Sequence, residues 1–297
     1  MISHLTQRQA ATSLEEEEIL PMLPFPRAHY YVLTFFLVTI AAFAPSYFLI
    51  LPKAEMAHHV HGITATLWIV LLMTQNWSIH NRKWTFHRYS GLASMALVPL
   101  FTIGGLWVTQ VTLLSTSPFK DMFGIRLAFA DFVATFAFLA FYGLALRHRK
   151  STDQHARYML ATVILLFGPS IARLLANYVP GFLIRAPEDL PKFGDAVHAS
   201  MLIGLAICLI LIARDYLNKK PVTPFVLGLG ATMLMYLGFV WVGHTPTWLS
   251  FTAWFAAWPL WTVLTLSLVS GVAAVWWGWM YPAHRSHAPI GAQQPAE

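Results

Sequence analysis

AHHVHGITATLWIVLLMTQNWSI, residues 57–79, decides how this chain is read. After His58, His59 and His61 it runs to Ile79 with no Asp, Glu, Lys or Arg. A helix of that length, rising about 1.5 Å per residue, crosses a hydrocarbon core of about 30 Å. Its polar residues follow a pattern. His61, Thr64, Trp68 and Gln75 recur at steps of three, four and seven, which puts them on one helix face. A polar stripe on a membrane helix points into a bundle, away from lipid.

Working outward, similar apolar runs lie near 29–51, 87–110, 124–146, 156–179, 195–217, 222–243 and 252–279. The expected fold is therefore all-α, a polytopic membrane helix bundle of about eight transmembrane helices. Short connections make successive helices antiparallel neighbours. The seventh run carries Gly228, Gly230, Gly238 and Gly243 and reads as the weakest, a candidate moving element. The chain is 57% hydrophobic and only 11% charged, with a mean hydropathy of +0.57. A soluble domain carries about a quarter charged residues, so the lipid bilayer is the expected surroundings.

Residues 1–28 hold the acidic run Glu15–Glu18 and several prolines without an apolar core, so they read as a mobile cytoplasmic tail and not as a signal peptide. Residues 282–297 read the same way, which leaves 29–281 as the transmembrane domain, with its polar core in 57–217. The net charge of +6 comes from basic residues in short loops between apolar runs, a pattern that orients membrane proteins and gives no reason to expect nucleic acid. With the N-terminus inside, 13 of the 19 Lys and Arg fall on the cytoplasmic side. Both termini are therefore expected in the cytoplasm, in a bacterial inner (plasma) membrane. Cys208 stands alone in an apolar run, so no intramolecular disulfide or thiolate cluster is expected. The tryptophans bracketing the last run, Trp248 to Trp261 and Trp276 to Trp279, read as interfacial anchors.

Ionisable groups at membrane depth mark sites unless they are paired. They fall into two layers. The outer layer holds His58, His59 and His61 at the start of the second helix, His198 at the start of the sixth, and Asp131 about 7 Å into the fourth. Arg173, about 27 Å along the fifth helix from His155, reaches similar depth, which predicts a buried ion pair of Asp131 with Arg173. The inner layer holds His80 and His87 around one loop and His148 and His155 around another. His80 and His148 sit beside basic loop residues and read as solvated interfacial groups.

Several of these residues carry a resemblance. His61-Gly62, Thr64, Trp68 and Gln75, followed by His87-Arg88-Tyr89-Ser90-Gly91, resemble a widespread group of uncharacterised bacterial multipass membrane proteins. Asp131-Phe132, the segment His155-Ala156-Arg157-Tyr158-Met159, Pro169 and Arg173 match the later part of that pattern, over about residues 57 to 225. The resemblance implies membrane location and brings no chemistry with it. A weaker similarity is to the two-haem transmembrane cytochromes b, which place paired histidines on neighbouring helices near both faces. In this chain the histidines lie at helix ends, and the fourth helix has none.

Three functions follow as expectations. A b-type haem protein for transmembrane electron transfer would bind an outer haem b by His61 and His198 and an inner one by His87 and His155. Arg126 or Arg173, and Arg88 or Arg157, would hold the propionates. An outward-facing metal-dependent hydrolase would ligate zinc through His58, His61, His198 and Asp131. A small-molecule or proton transporter, or a sensor, would use Asp131, Arg173 and the histidines as a relay. No phosphate loop, nucleophile elbow or dinucleotide fingerprint is present, which argues against nucleotide hydrolysis and soluble-type acyl transfer.

Overall fold

The computed structural model describes residues 23–281. The expected tails 1–28 and 282–297 lie outside the described residues, apart from 23–28. Ten α-helices are described: α1 Ala28–Phe43, α2 Met56–His80, α3 Trp84–Leu114, α4 Ile125–Arg147, α5 Thr152–Ile164, α6 Phe167–Tyr178, α7 Lys192–Leu217, α8 Thr223–Val240, α9 Pro246–Ala256 and α10 Leu260–Met280. Seven segments are long and apolar enough to cross a membrane: α2, α3, Lys120–Arg147 containing α4, Thr152–Tyr178 containing α5 and α6, α7, Thr223–His244 containing α8, and α10.

The first run differs from expectation. Its helix ends at Phe43 and is only 16 residues long, because Pro45 and Pro52 interrupt the apolar sequence that follows. Even so, α1 runs alongside α2. Asn76 Oδ1 accepts hydrogen bonds from the His29 backbone N–H and from its ring Nδ1, both at 2.9 Å. Tyr47, just beyond α1, reaches His59 Nδ1 at 3.1 Å. The two attachment points on α2 are about 26 Å apart at its helical rise.

The other breaks lie where backbone chemistry requires them. The expected fifth crossing is divided at Leu165–Leu166. Pro169 has no N–H to offer the Leu165 carbonyl, and its ring crowds that carbonyl. The last run is divided at Ala257–Pro259 into α9 and α10. The glycine-rich seventh run, by contrast, is one continuous helix from Thr223 to Val240. Its glycines serve packing, with Gly238 lying directly against the Phe129 ring.

Helices α2 and α3 pack together, α10 lies against α3 and α4, α8 against α4, and α6 against α7. Two close approaches depend on glycine. A Cβ on Gly104 would lie 2.8 Å from His61 Cα, and one on Gly271 would lie 2.6 Å from Pro99 Cα. Trp68 is fully buried at the centre. It meets Phe138 edge-on at 4.9 Å and Tyr142 at 5.6 Å. Its indole N–H donates to Thr162 Oγ1 at 3.2 Å, and Tyr142 shares a 2.8 Å hydrogen bond with Ser94. Thr64 and Gln75 are buried on the same face of α2, as the stripe predicted. Trp254, Trp261, Trp276 and Trp279 stay exposed, in keeping with an interfacial role.

Candidate functional site

The turns at 81–83, 148–151 and 218–222 share one end of the bundle, called here the basic end. The start of α2, the end of α6 and the start of α7 lie at the opposite, far end.

At the far end, buried and half-buried polar groups surround a cavity of about 110 Å³. His61 comes from α2, Thr102 and Thr109 from α3, and Asp131 and Thr135 from α4. The interrupted fifth crossing closes another side with Leu165, Leu166 and Pro169. Thr109 donates to Asp131 Oδ2 at 3.3 Å. The His61 ring stacks on Phe101 at 5.5 Å, while its Nδ1 is buried with no hydrogen-bond partner. His58 Nδ1, one turn earlier, is also buried without one. Cavities of this size admit several waters but are well below the roughly 300 Å³ of the smaller organic-ligand pockets. Phe101 and Phe138 form its floor and meet each other edge-on at 4.9 Å, above Trp68.

Arg173 comes near enough to Asp131, His58 and His61 to act on them electrostatically. The expected ion pair with Asp131 is not direct. The Arg173 guanidinium donates to its own helix at Pro169 O, 3.2 Å away, and lies 4.6 Å over the Phe43 ring. Asp131 turns instead to Thr109. His198 lies elsewhere, with Nδ1 3.3 Å from the Tyr236 hydroxyl and its ring against Phe239. It does not line the cavity, so the described geometry gives no support to a haem shared by His61 and His198. Arg126 is likewise occupied, donating to Phe239 O at 3.1 Å and lying 3.9 Å over that ring. Among the described residues no three His, Cys, Asp or Glu side chains converge to hold a metal ion. The zinc set of His58, His61, His198 and Asp131 is not gathered into such a group.

At the basic end, two histidines from different helices are held by backbone carbonyls. His155 Nδ1 is 2.8 Å from Ala145 O, and His87 Nδ1 is 3.2 Å from Gln75 O. A carbonyl has no proton to give, so Nδ1 carries the hydrogen and each neutral ring keeps its Nε2 lone pair. The two rings are close enough to interact electrostatically. Gln75 fixes the start of α3 by donating to His87 O and Ser90 Oγ at 3.0 and 3.1 Å. His148, beyond the end of α4, stacks on Tyr158. Burial and then the Arg147 charge lower its pKa below the ordinary histidine value.

The sequence reading missed the strongest polar contact of the bundle. Arg157 donates to both oxygens of Asp215 at 2.6 and 2.9 Å, and to the Asp153 carbonyl and carboxylate at 2.8 and 2.9 Å. Arg157 is 2% exposed and Asp215 1%, so this is a buried, bidentate pair. Lys220 closes it from outside, 3.2 Å from Asp153. Four of the five Arg157 N–H donors are engaged in this network, which commits the side chain to it. The available signal was Asp215 itself, one of the few acidic residues within an apolar run.

Seven membrane-length apolar helices around a buried polar core make this chain an integral multi-pass membrane protein. Comparison with protein-family models, with curated proteins and with solved structures gives no match to it.

Proposed function

We propose that the protein is a proton relay of the plasma (inner) membrane, with His61 and Asp131 exchanging a proton through water in the far-end cavity. The observation that carries this reading is a buried, unpartnered imidazole nitrogen lining the same cavity as a half-buried carboxylate. Ionisable groups at membrane depth mark proton and ion pathways, and the cavity's size suits water. Arg173 sets the local charge balance without occupying either group. The divided crossing beside the cavity supplies a movable wall, since discontinuous membrane helices commonly flank transport sites. The floor of Phe101 and Phe138 over Trp68 separates the cavity from the basic end, so transfer requires that floor to open. The topology that goes with this reading has eight crossings and both termini in the cytoplasm. It is supported by the basic bias of one loop set and by the two ends of α1 being tied to opposite ends of α2.

Proteoliposomes containing a pH-sensitive dye test the relay. Wild-type protein should dissipate an imposed proton gradient, and Asp131→Asn and His61→Gln should abolish that flux while still purifying as folded monodisperse protein. Flux no greater than in empty vesicles, or undiminished in Asp131→Asn, would overturn the reading. Topology is tested by reporters, fused at either terminus, that fluoresce only in the cytoplasm.

A second reading rests on a different observation, that the Nδ1 atoms of His87 and His155 are both held by backbone carbonyls. An imidazole whose Nδ1–H is held by a backbone carbonyl is set to ligate through Nε2. These two residues would hold one haem b at the basic end, which would supply one-electron chemistry there. A reduced-minus-oxidised difference band lost in His155→Ala supports it, and purified protein giving no pyridine haemochrome removes it.

A further inference from the structure

A second, larger cavity lies apart from both histidine layers. It is a groove of about 720 Å³ between α1, α5, α6 and α7. Phe35, Ile164, Phe167, Ile207 and Leu211 give it apolar walls, while Arg27 and Arg214 stand at its basic end. Arg27 is exposed and Arg214 is 47% exposed, with its nearest carboxylate oxygen, on Asp215, 3.9 Å away. That carboxylate is already committed to Arg157 through two short hydrogen bonds. The Arg214 guanidinium lies 4.6 Å over the Phe25 ring, which fixes its position at the mouth.

The depth of the groove matches one leaflet. From Arg27 to Val38 along α1 is eleven residues, about 16 Å of helix, close to half of a hydrocarbon core of about 30 Å. A molecule filling this space needs an apolar body one leaflet long and an anionic head at the level of two guanidinium groups. Basic pockets between membrane helices hold acidic headgroups in this manner. We propose that the groove is a binding site for an anionic glycerophospholipid drawn from the leaflet at the basic end. Arg27 and Arg214 take the phosphate and the acyl chain lies along Phe35, Ile164 and Phe167. The site needs neither the proton relay nor a haem, and its test is independent of both.

The test uses delipidated full-length protein in mild detergent, with binding followed by native mass spectrometry and thermal unfolding. Phosphatidylglycerol should bind and raise the melting temperature at mole ratios where phosphatidylcholine does not. The double variant Arg27→Gln/Arg214→Gln should melt like wild type without lipid but bind phosphatidylglycerol roughly 30-fold more weakly, from the usual contribution of two basic groups to acidic-lipid binding. Ile207→Trp, which fills the groove from α7, should weaken binding with the arginines intact. Equal binding of the two phospholipids, or unchanged selectivity in the double variant, overturns the proposal. So does oleate alone reproducing the whole shift, since the occupant would then be a free acid. A shift seen only after deleting residues 1–22 would likewise overturn it, because the chain's own N-terminal segment would then be the occupant.

Discussion

Two acid–guanidinium couples stand at opposite ends of this bundle, one buried and one half-buried, and they differ in how fully they are satisfied. At the basic end Arg157 and Asp215 are locked by two charge-assisted hydrogen bonds and further tied to Asp153. At the far end Asp131 and Arg173 sense each other without a direct bond, beside a cavity and an unpartnered His61 nitrogen. A closed couple has little left to offer a ligand and works as architecture. The open couple retains unspent hydrogen-bonding capacity in a place where water or a proton can use it. Residue type alone does not separate these roles; the number of satisfied donors and acceptors does.

The contrast is broken or sharpened most strongly by removing one acid at a time. Asp215→Ala leaves the Arg157 charge buried, and a loss of about 3–5 kcal/mol in unfolding free energy is expected, as for a buried pair stripped of one partner. Asp131→Asn should change stability by no more than about 1 kcal/mol, the net worth of its one Thr109 hydrogen bond. Equal losses in the two variants, read by unfolding in detergent, would erase the distinction. Next in size is Gly104→Ala. The added methyl meets the backbone of His61, which cannot swing away as a side chain can. A cost of about 1–3 kcal/mol is expected, together with a fall in proton flux as α2 is pushed off α3.

Smaller still is Trp68→Phe. It removes the indole N–H bond to Thr162, whose hydroxyl keeps its own acceptor at Met159 O, 2.6 Å away. A loss of about 1 kcal/mol is expected, with leakier proton retention across the aromatic floor as the informative readout. The smallest effect belongs to the far-end loop. The Lys192 ammonium, then the Arg185 and Ala186 backbone N–H groups, hold the Asp189 carboxyl at about 2. Because the folded value is depressed, this local contribution is present at neutral pH and fades as pH falls from about 4 toward 2. An NMR titration of the Asp189 carboxyl should show its midpoint moving up toward the ordinary value in Lys192→Ala, with melting unchanged.

Much of the scaffold was legible from hydropathy because crossing length and apolarity are summed properties that tolerate local errors. The stripe of Thr64, Trp68 and Gln75 was readable for the same reason, since helical spacing fixes a face whatever packs against it. The proximity of Asp131 and Arg173 was readable, but rotation and rotamer were not, and those decide whether two charges touch. The Arg157–Asp215 pair was missed because its partners stand 58 residues apart and no local spacing joins them. The helix interruption was placed wrongly because glycine was weighed as a breaker. In α8 the glycines let neighbours approach, while Pro169, which cannot donate a backbone hydrogen bond, divides the fifth crossing.

The shortness of α1 has a consequence for the surrounding membrane. Its 16 helical residues span about 24 Å, whereas its partner α2 has 25. In the proposed eight-crossing topology, the protein would present two hydrophobic thicknesses, a thin flank at α1 and a thicker one elsewhere. Lipids against the thin flank must compress, or water must dip toward Tyr47, and either response carries a modest cost per ångström of mismatch. Thickness of the host bilayer thus acts directly on the wall that α1 shares with α6, so membrane composition becomes a mechanical input to the helix that lies beside the cavity.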